Sequence, residues 1–488
     1  MIRLLAILVF CCPLAFPAVV QGVVLDDETG YPLARTVVSL VPLPGTQAGT
    51  ASLRTGERGA FSILSVRPGW YVLRASRKGF ADGEAGQVRA GRPGLPFEIT
   101  ADKPSDFHQI RLKRLAALAG SVVDDNGVGI PDWPVSVYSA RKPIRRLLEA
   151  KTDDRGDFRI GGLEPGAYVV RSSPGTLEDD SGLLPTWYKY GTALESAETI
   201  RLRLGETRRD VTIRPVAGRL IKLSGTFTSP FPATLMLVTD TGRRLIANGG
   251  GGNVTPWEAA AVPPGPVELI AEGQGCGSYN RFIVEKDAMG YRIACSPVYP
   301  ISVEWRGLDA RSGLAYPVFA RRVDLDGTGP SKMLKAGDSL GPGRWELAAQ
   351  LPLGAYLAGV SSQMNGEAGT RNDGWFGLTL GNMVRLVFTG SKNGGTISGG
   401  VTTQGRPVAG ASVFVELFDP VTRERQQLRS VRCDPQGRFS VVGLTPGTYR
   451  LVSSFDFDPD DPFAMERGQS LSVKEGEQAT VSLEMLLQ

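Results

Sequence analysis

Two fixed intervals recur along this chain and restrict its fold more than any other feature. In Gly156-Asp157-Phe158 and the following Pro165-Gly166-Ala167-Tyr168, the glycines lie ten residues apart and so do the two aromatics. The same pair of intervals separates Gly59 from Gly69 and Phe61 from Tyr71, and again Gly437 from Gly447 and Phe439 from Tyr449. Phe158 and Ile160 fall on one face of an extended strand and Tyr168 and Val170 on one face of the next, with Leu163-Glu164-Pro165-Gly166 turning the chain between them. The unit therefore reads as a hairpin whose turn residues supply one free and one fixed φ. Its aromatics point inward, where burying each contributes about 2–3 kcal/mol.

A second signature precedes each strong copy. Gly22-Val23-Val24-Leu25-Asp26 continues through Gly30-Tyr31-Pro32 to Val37-Val38-Ser39-Leu40, and Gly120-Ser121-Val122-Val123-Asp124 through Gly129-Ile130-Pro131 to Val135-Ser136-Val137-Tyr138. The third runs from Gly399-Gly400-Val401 through Gly405-Arg406-Pro407 to Val413-Phe414-Val415. These read as further hairpins, and a closing pair of strands follows, as at Ile200-Arg201-Leu202 with Val211-Thr212-Ile213. Weaker copies place Trp257 with Pro264-Gly265-Pro266-Val267, and Trp345 with Leu353-Gly354-Ala355-Tyr356. The resulting anchors, Tyr71, Tyr168, Val267, Tyr356 and Tyr449, are separated by 97, 99, 89 and 93 residues. That period suits a β-sandwich and exceeds a thin solenoid repeat. The expectation is an all-β chain of five tandem sandwiches at 23–115, 116–218, 219–302, 303–394 and 395–488, after a signal peptide at 1–22. The run Asn248-Gly249-Gly250-Gly251-Gly252-Asn253 reads as a mobile loop within the third.

Composition agrees with this reading. With 488 residues the chain exceeds one core, and 61 glycines and 34 prolines set among short apolar runs indicate many turns. A net charge of +4 is small for that length, and the one dense basic cluster, Arg141-Lys142-Pro143-Ile144-Arg145-Arg146, reads as a solvated loop rather than a nucleic-acid face. Met1-Ile2-Arg3 leads into an apolar run from Leu4 to Phe16 that is too short to span a bilayer and reads as an export signal. Cleavage is expected after Gly22, with Ala15 and Ala18 as alternative positions. Cys11 and Cys12 follow a bulky Phe10, which disfavours a lipoprotein signal. No later stretch is apolar enough for a membrane helix, so the mature chain is expected in the periplasm, at the cell surface or outside the cell. In such an oxidising compartment Cys276 and Cys295 are expected to pair, leaving Cys433 as a buried apolar side chain.

The Gly-x-Val-x-Asp, Gly-x-Pro and Gly-x-Phe…Pro-Gly-x-Tyr series, as in Gly120 to Asp124 and Gly156 to Tyr168, resembles the carboxypeptidase regulatory-like domain family. It is also similar to collagen-adhesin B-type repeats. The resemblance is carried by the first, second and fifth copies and implies immunoglobulin-like sandwiches of the transthyretin (prealbumin) type. In such families the domain is an accessory module that spaces other domains, binds partners or, in relatives with a carbohydrate-binding-like fold, holds sugars.

Catalytic constellations are sparse. The sole histidine, His108, cannot form the paired zinc ligands of a metallocarboxypeptidase, and no Gly-x-Ser-x-Gly elbow or Cys-x-x-Cys is present. Asp456-Phe457-Asp458-Pro459-Asp460-Asp461 spaces carboxylates as a calcium loop does, but Asp461 replaces the turn glycine and Arg467 the closing glutamate. Arg155-Gly156-Asp157 spells an adhesion tripeptide that the repeat already explains. For recognition the candidate is Trp187-Tyr188-Lys189-Tyr190, with Trp187, Tyr188 and Tyr190 offering flat faces to a sugar or a partner side chain; Trp375-Phe376 is a second. The sequence thus points to a non-catalytic exported scaffold without metal or cofactor, whose partner is a polysaccharide or another envelope protein. The alternatives are a carbohydrate-binding protein using the Trp187 loop and an exported hydrolase.

Overall fold

A computed structural model describes residues 18–100, 105–140, 144–177, 182–189, 191–308, 313–362, 368–372, 374–422, 425–458 and 463–486. Regular structure among these residues is extended, apart from one turn of 3-10 helix at Leu194–Ser196. The strands enclose five large hydrophobic cores, drawn in chain order from residues 18–112, 116–213, 221–295, 303–388 and 397–485. Each core lies between two sheets, so a β-sandwich architecture repeats along the chain.

Strand pairing corrects the hairpin reading of the repeat. Asp157–Leu163 pairs with Ala116–Val122, whereas Gly166–Ser172 pairs with Pro134–Ser139 in the opposite sheet. Glu164 and Pro165 therefore arch from one sheet to the other. The same arch links Ala60–Val66 to Gly69–Ser76 and Arg438–Leu444 to Gly447–Ser453. Phe158 and Tyr168 consequently enter one core from facing sheets, and both are buried. The preceding strand-turn-strand signature is likewise a crossover, since Ala18–Asp26 and Val37–Pro42 belong to different sheets. The closing strands also separate: Ile200–Leu202 joins Gly166–Ser172, and Thr207–Ile213 runs parallel to Ala116–Val122.

The tyrosine does more than fill space. Tyr71 Oη donates to the Arg67 carbonyl at 2.7 Å, Tyr168 Oη to Glu164 at 2.5 Å and Tyr449 Oη to Thr445 at 2.6 Å. In each case the acceptor immediately precedes the Pro-Gly pair, so the phenol ties down the loop that delivers it. A buried hydroxyl needs such a partner. In the fourth core Trp345 Nε1 donates to Gly341 at 2.9 Å, directly before Pro342-Gly343. This corrects the fourth copy: Trp345 occupies the tyrosine position, on Gly343–Ala349, while Tyr356–Ser362 belongs to the other sheet. An indole N–H replaces a phenol O–H there, and the apparent spacing shifts with it.

The leading glycines are explained by what lies on either side of them. Ala18–Asp26 is the central strand of its sheet, antiparallel to Ala60–Val66 and parallel to Ser105–Leu112. A methyl group on Gly22 would overlap the His108 carbonyl oxygen and lie 2.6 Å from the Phe61 ring. Gly120 meets the Val211 carbonyl, Gly225 that of Tyr291 and Gly399 that of Val481 in the same way. At the end of the first leading strand, Asp26 is buried and accepts from Arg114 Nη2 at 2.7 Å and from the Glu28 amide at 3.0 Å. Burial pushes its carboxyl up, but the amides of Glu28 and Thr29 and the Arg114 guanidinium outweigh burial and hold it below the usual range.

Three further expectations meet the structure here. Strand Ala18–Asp26 crosses the 22/23 boundary, and Val20, on the expected signal side, is fully buried in the first core. The glycine run is no separate loop: Gly249 still pairs with Ala233, and the Gly252 amide donates to Ser229 at 2.8 Å, so only a tight turn remains. Cys276 and Cys295 are bonded with their Cα atoms 5.3 Å apart, tying the two sheets of the third core, a link that contributes roughly 3 kcal/mol for a loop of this size. Cys433 is a free, buried cysteine.

Two predictions follow from this packing. Gly120→Ala should destabilise the second core by more than about 3 kcal/mol, because the obstacle is backbone and cannot yield; urea unfolding followed by Trp187 fluorescence measures this. Because the folded Asp26 carboxyl titrates below its unfolded value of about 3.9, its stabilisation is complete above that pH and is lost as pH falls through the lower folded value. Thermal melting between pH 6 and pH 2 should therefore decline less steeply in Asp26→Asn than in the parent chain.

Candidate functional site at the joints between cores

The aromatic loop proposed for recognition faces inward. Trp187 and Tyr188 are 5% and 3% exposed, and Tyr190 lies outside the described residues. Thr186–Trp187 adds a short edge to Gly166–Ser172, which turns Tyr188 into the second core and Trp187 onto the outer face of the sheet. There Trp187 packs against Tyr138 with ring centroids 5.0 Å apart, and the Arg171 guanidinium caps its ring at 4.9 Å. No face of either ring is free to stack on a sugar. The expectation of an open aromatic platform is corrected for these two residues, because the sheet that carries them also covers them.

What covers this layer is the neighbouring sandwich. Tyr138 Oη donates to the Asp240 carbonyl at 2.8 Å, and Arg171 Nη1 donates to the Asp240 carboxylate at 2.6 Å. Burial pushes the Tyr138 phenol up to about 12, so it stays a neutral donor. The basic cluster continues the joint. Arg146 Nη1 donates to the Thr241 carbonyl at 3.0 Å, and Arg145 Nη2 to Glu346 Oε1 of the fourth core at 2.6 Å. Arg321 holds the other oxygen of Glu346 at 2.6 Å and lies 4.0 Å over the Trp375 ring. Thus Arg145 and Arg146 are not merely solvated, and the second aromatic candidate is likewise capped. Its neighbour Phe376 is core.

The third and fourth cores meet across a denser set of ions. Glu268, fully buried, accepts from Tyr279 Oη at 2.7 Å, from the Leu325 amide at 2.8 Å and from Arg344 at 3.3 Å. Arg243 of the third core is clamped between Asp324 and Asp326 of the fourth. Asn382 Nδ2 reaches back to the carbonyls of Gly277, Ser296 and Pro297, each within about 3.1 Å and all beside the disulfide. Sequence reasoning missed Asp240, Glu268 and Glu346. Their only local signal is a carboxylate at or beside an inward position of a strand, which does not reveal that its partner lies in another sandwich.

Groups with chemical potential are similarly occupied. Burial pushes the Cys433 thiol up to about 12, the opposite of what a nucleophile needs. Asp456 and Asp458 of the calcium-like run face Arg92, with Arg92 Nη2 to Asp458 at 2.7 Å, while Asp460 and Asp461 lie outside the described residues. Among the described residues no cluster of three or more His, Cys, Asp or Glu side chains forms a metal-binding group. A cleft of about 1140 Å³ opens where the first, second and fifth cores approach; Arg111, Lys113 and Arg203 line it together with Asp27 and Glu164. Its charges are mixed.

No curated protein matches the chain. Solved structures similar to parts of it include a minor pilin of Streptococcus agalactiae, 15% identical over 41% of this chain and 97% of that one, with a TM-score of 0.25. A shaft pilin of Lactobacillus rhamnosus GG is 11% identical over 42% of this chain and 98% of its own, also at 0.25. The Bacillus anthracis TIE protein is 9% identical over 95% of this chain and 73% of its own, at 0.19. Scores this low carry no inference about ligand or assembly. The family that the sequence matches is the carboxypeptidase regulatory-like domain, whose model covers residues 19–101.

Proposed function

We propose that the protein is an exported, non-catalytic scaffold of five sandwich domains, bounded near residues 115, 218, 302 and 394, that holds a fixed spatial arrangement at the cell envelope or outside the cell. One observation carries the reading. Of the aromatic and basic residues that would serve recognition or chemistry, Tyr138, Arg145, Arg146 and Arg171 are engaged where one core meets another, and Trp187 is packed under Tyr138 and Arg171. Such use of side chains favours rigidity over turnover. The Cys276–Cys295 bond supports an oxidising compartment, and no helix of the described residues is long and apolar enough to cross a membrane.

The reading predicts no retardation of the purified chain in affinity electrophoresis on a polysaccharide panel and no turnover in a glycosidase and peptidase screen. Retardation abolished by Trp187→Ala, with thermal melting unchanged, would replace it with the carbohydrate-binding alternative. Export adds a second expectation. Cleavage after Gly22 would remove half of the central strand of the first core, so we place the cut at or before Ala18. Mass spectrometry of the mature N-terminus checks this; a chain beginning at Val23 contradicts it.

A further inference from the structure

The first core ends at Leu112 and the fifth begins only at Ile397, yet they touch. Arg92 Nη2 donates to Asp458 Oδ2 at 2.7 Å, and its Nε lies 3.5 Å from Asp456, which Arg89 also approaches at 3.3 Å. A second ion pair joins Arg432 to Glu84, and Arg432 Nη1 donates in addition to the Gly94 carbonyl at 3.0 Å. Glu84 is itself prepared for this role, since its carboxylate also accepts from Arg74 at 2.9 Å and from the Gly94 amide at 2.7 Å. The Gly410 backbone of the fifth core also lies against side chains of the first. A methyl group on Gly410 would lie 2.8 Å from Pro96 and 2.9 Å from Leu43.

These are not incidental surface charges. The side chains of Glu84 and Asp456 are each 9% exposed, that of Arg92 16% and that of Arg432 21%, so these four are largely out of water, while Asp458 at 39% lies at the rim. Desolvated ions are tolerated only where their partners are fixed in place. Contacts between successive cores then lead from the second to the third, the third to the fourth and the fourth to the fifth, the last through Ser391 to Glu475. The Gly91 backbone also lies against Leu204, joining the first core to the second.

We infer that the chain is closed end to end: an arginine–carboxylate clasp between its first and last sandwiches converts a string of modules into a ring that opens only when that clasp is broken. This deepens the scaffold reading by specifying its form, and it can fail while that reading stands, since an open string of the same sandwiches would still be a scaffold. Closure also creates the cleft beside Arg111 and Arg203, because the first, second and fifth cores each contribute to its wall.

Small-angle scattering of the full chain tests the inference. The parent should give a compact profile at about 0.1 M salt, and the double variant Arg92→Glu, Arg432→Glu should give a larger radius of gyration and maximum dimension with an unchanged far-ultraviolet spectrum. An extended parent profile, or a folded double variant with the parent's dimensions, overturns it. Should the double variant not fold, Arg92→Lys keeps the charge and permits a second measurement. A zero-length carbodiimide should then join position 92 to Asp456 or Asp458 within one chain, detected as a cross-linked peptide. Recovery of only uncross-linked peptides from folded, monomeric protein contradicts closure.

Discussion

The architecture rests on a strand that has backbone on both sides. In the first, second, third and fifth cores the leading strand is gripped between an antiparallel and a parallel neighbour, and at Gly22, Gly120, Gly225 and Gly399 the approach leaves no room for a Cβ. That squeeze fixes where the facing aromatic sits, because Phe61, Phe158, Trp257 and Phe439 pair directly opposite these glycines. From there the chain arches to the second sheet, and in the first, second and fifth cores the tyrosine hydroxyl anchors the arch to its own loop. Glycine, phenylalanine and tyrosine are thus three parts of one device, which is why their spacing survives where the rest of the sequence drifts.

This coupling also explains which parts of the fold were legible. Alternation in Phe158-Arg159-Ile160 and Tyr168-Val169-Val170 reveals which side chains point inward, and it did so correctly. It carries no record of which sheet a strand joins, so an arch and a hairpin look alike when a Pro-Gly turn separates two strands. The fourth core shows the other limit. Its Trp345 performs the tyrosine's hydrogen bond with a different atom, and a pattern built on Phe and Tyr slipped to Tyr356 instead. The start of the first strand was obscured for a related reason: Ala18, Val19 and Val20 are apolar enough to belong either to an export signal or to a core strand, and only pairing with Ala60–Val66 distinguishes them.

The joints between cores were almost illegible. Arg145, Asp240, Glu268 and Glu346 sit in unremarkable polar surroundings in the sequence, and what makes them structural is a partner some 60 to 200 residues away. Trp187 illustrates the consequence. An aromatic-rich loop ordinarily signals recognition, but here the surface it recognises belongs to the same chain: Tyr138 and Arg171 enclose it, and Asp240 locks both of those in place. Buried ion pairs of this kind add little net stability and much geometric definition. They occur within sandwiches too, as where Arg425 and Arg450 hold Glu416, but those at the joints, such as Arg145–Glu346 and Arg243–Asp326, link one sandwich to another.

Hydrogen exchange followed by mass spectrometry on the intact chain tests the central claim most directly. Strands Ala18–Asp26, Ala116–Val122, Ile221–Thr228 and Gly395–Thr403, each paired on both sides, should retain their amide protons longest within their own cores. Edge strands such as Ala51–Arg54 should exchange early. Leading strands that exchange as fast as those edges would contradict the account, because the glycines would then not be held between two backbones at all.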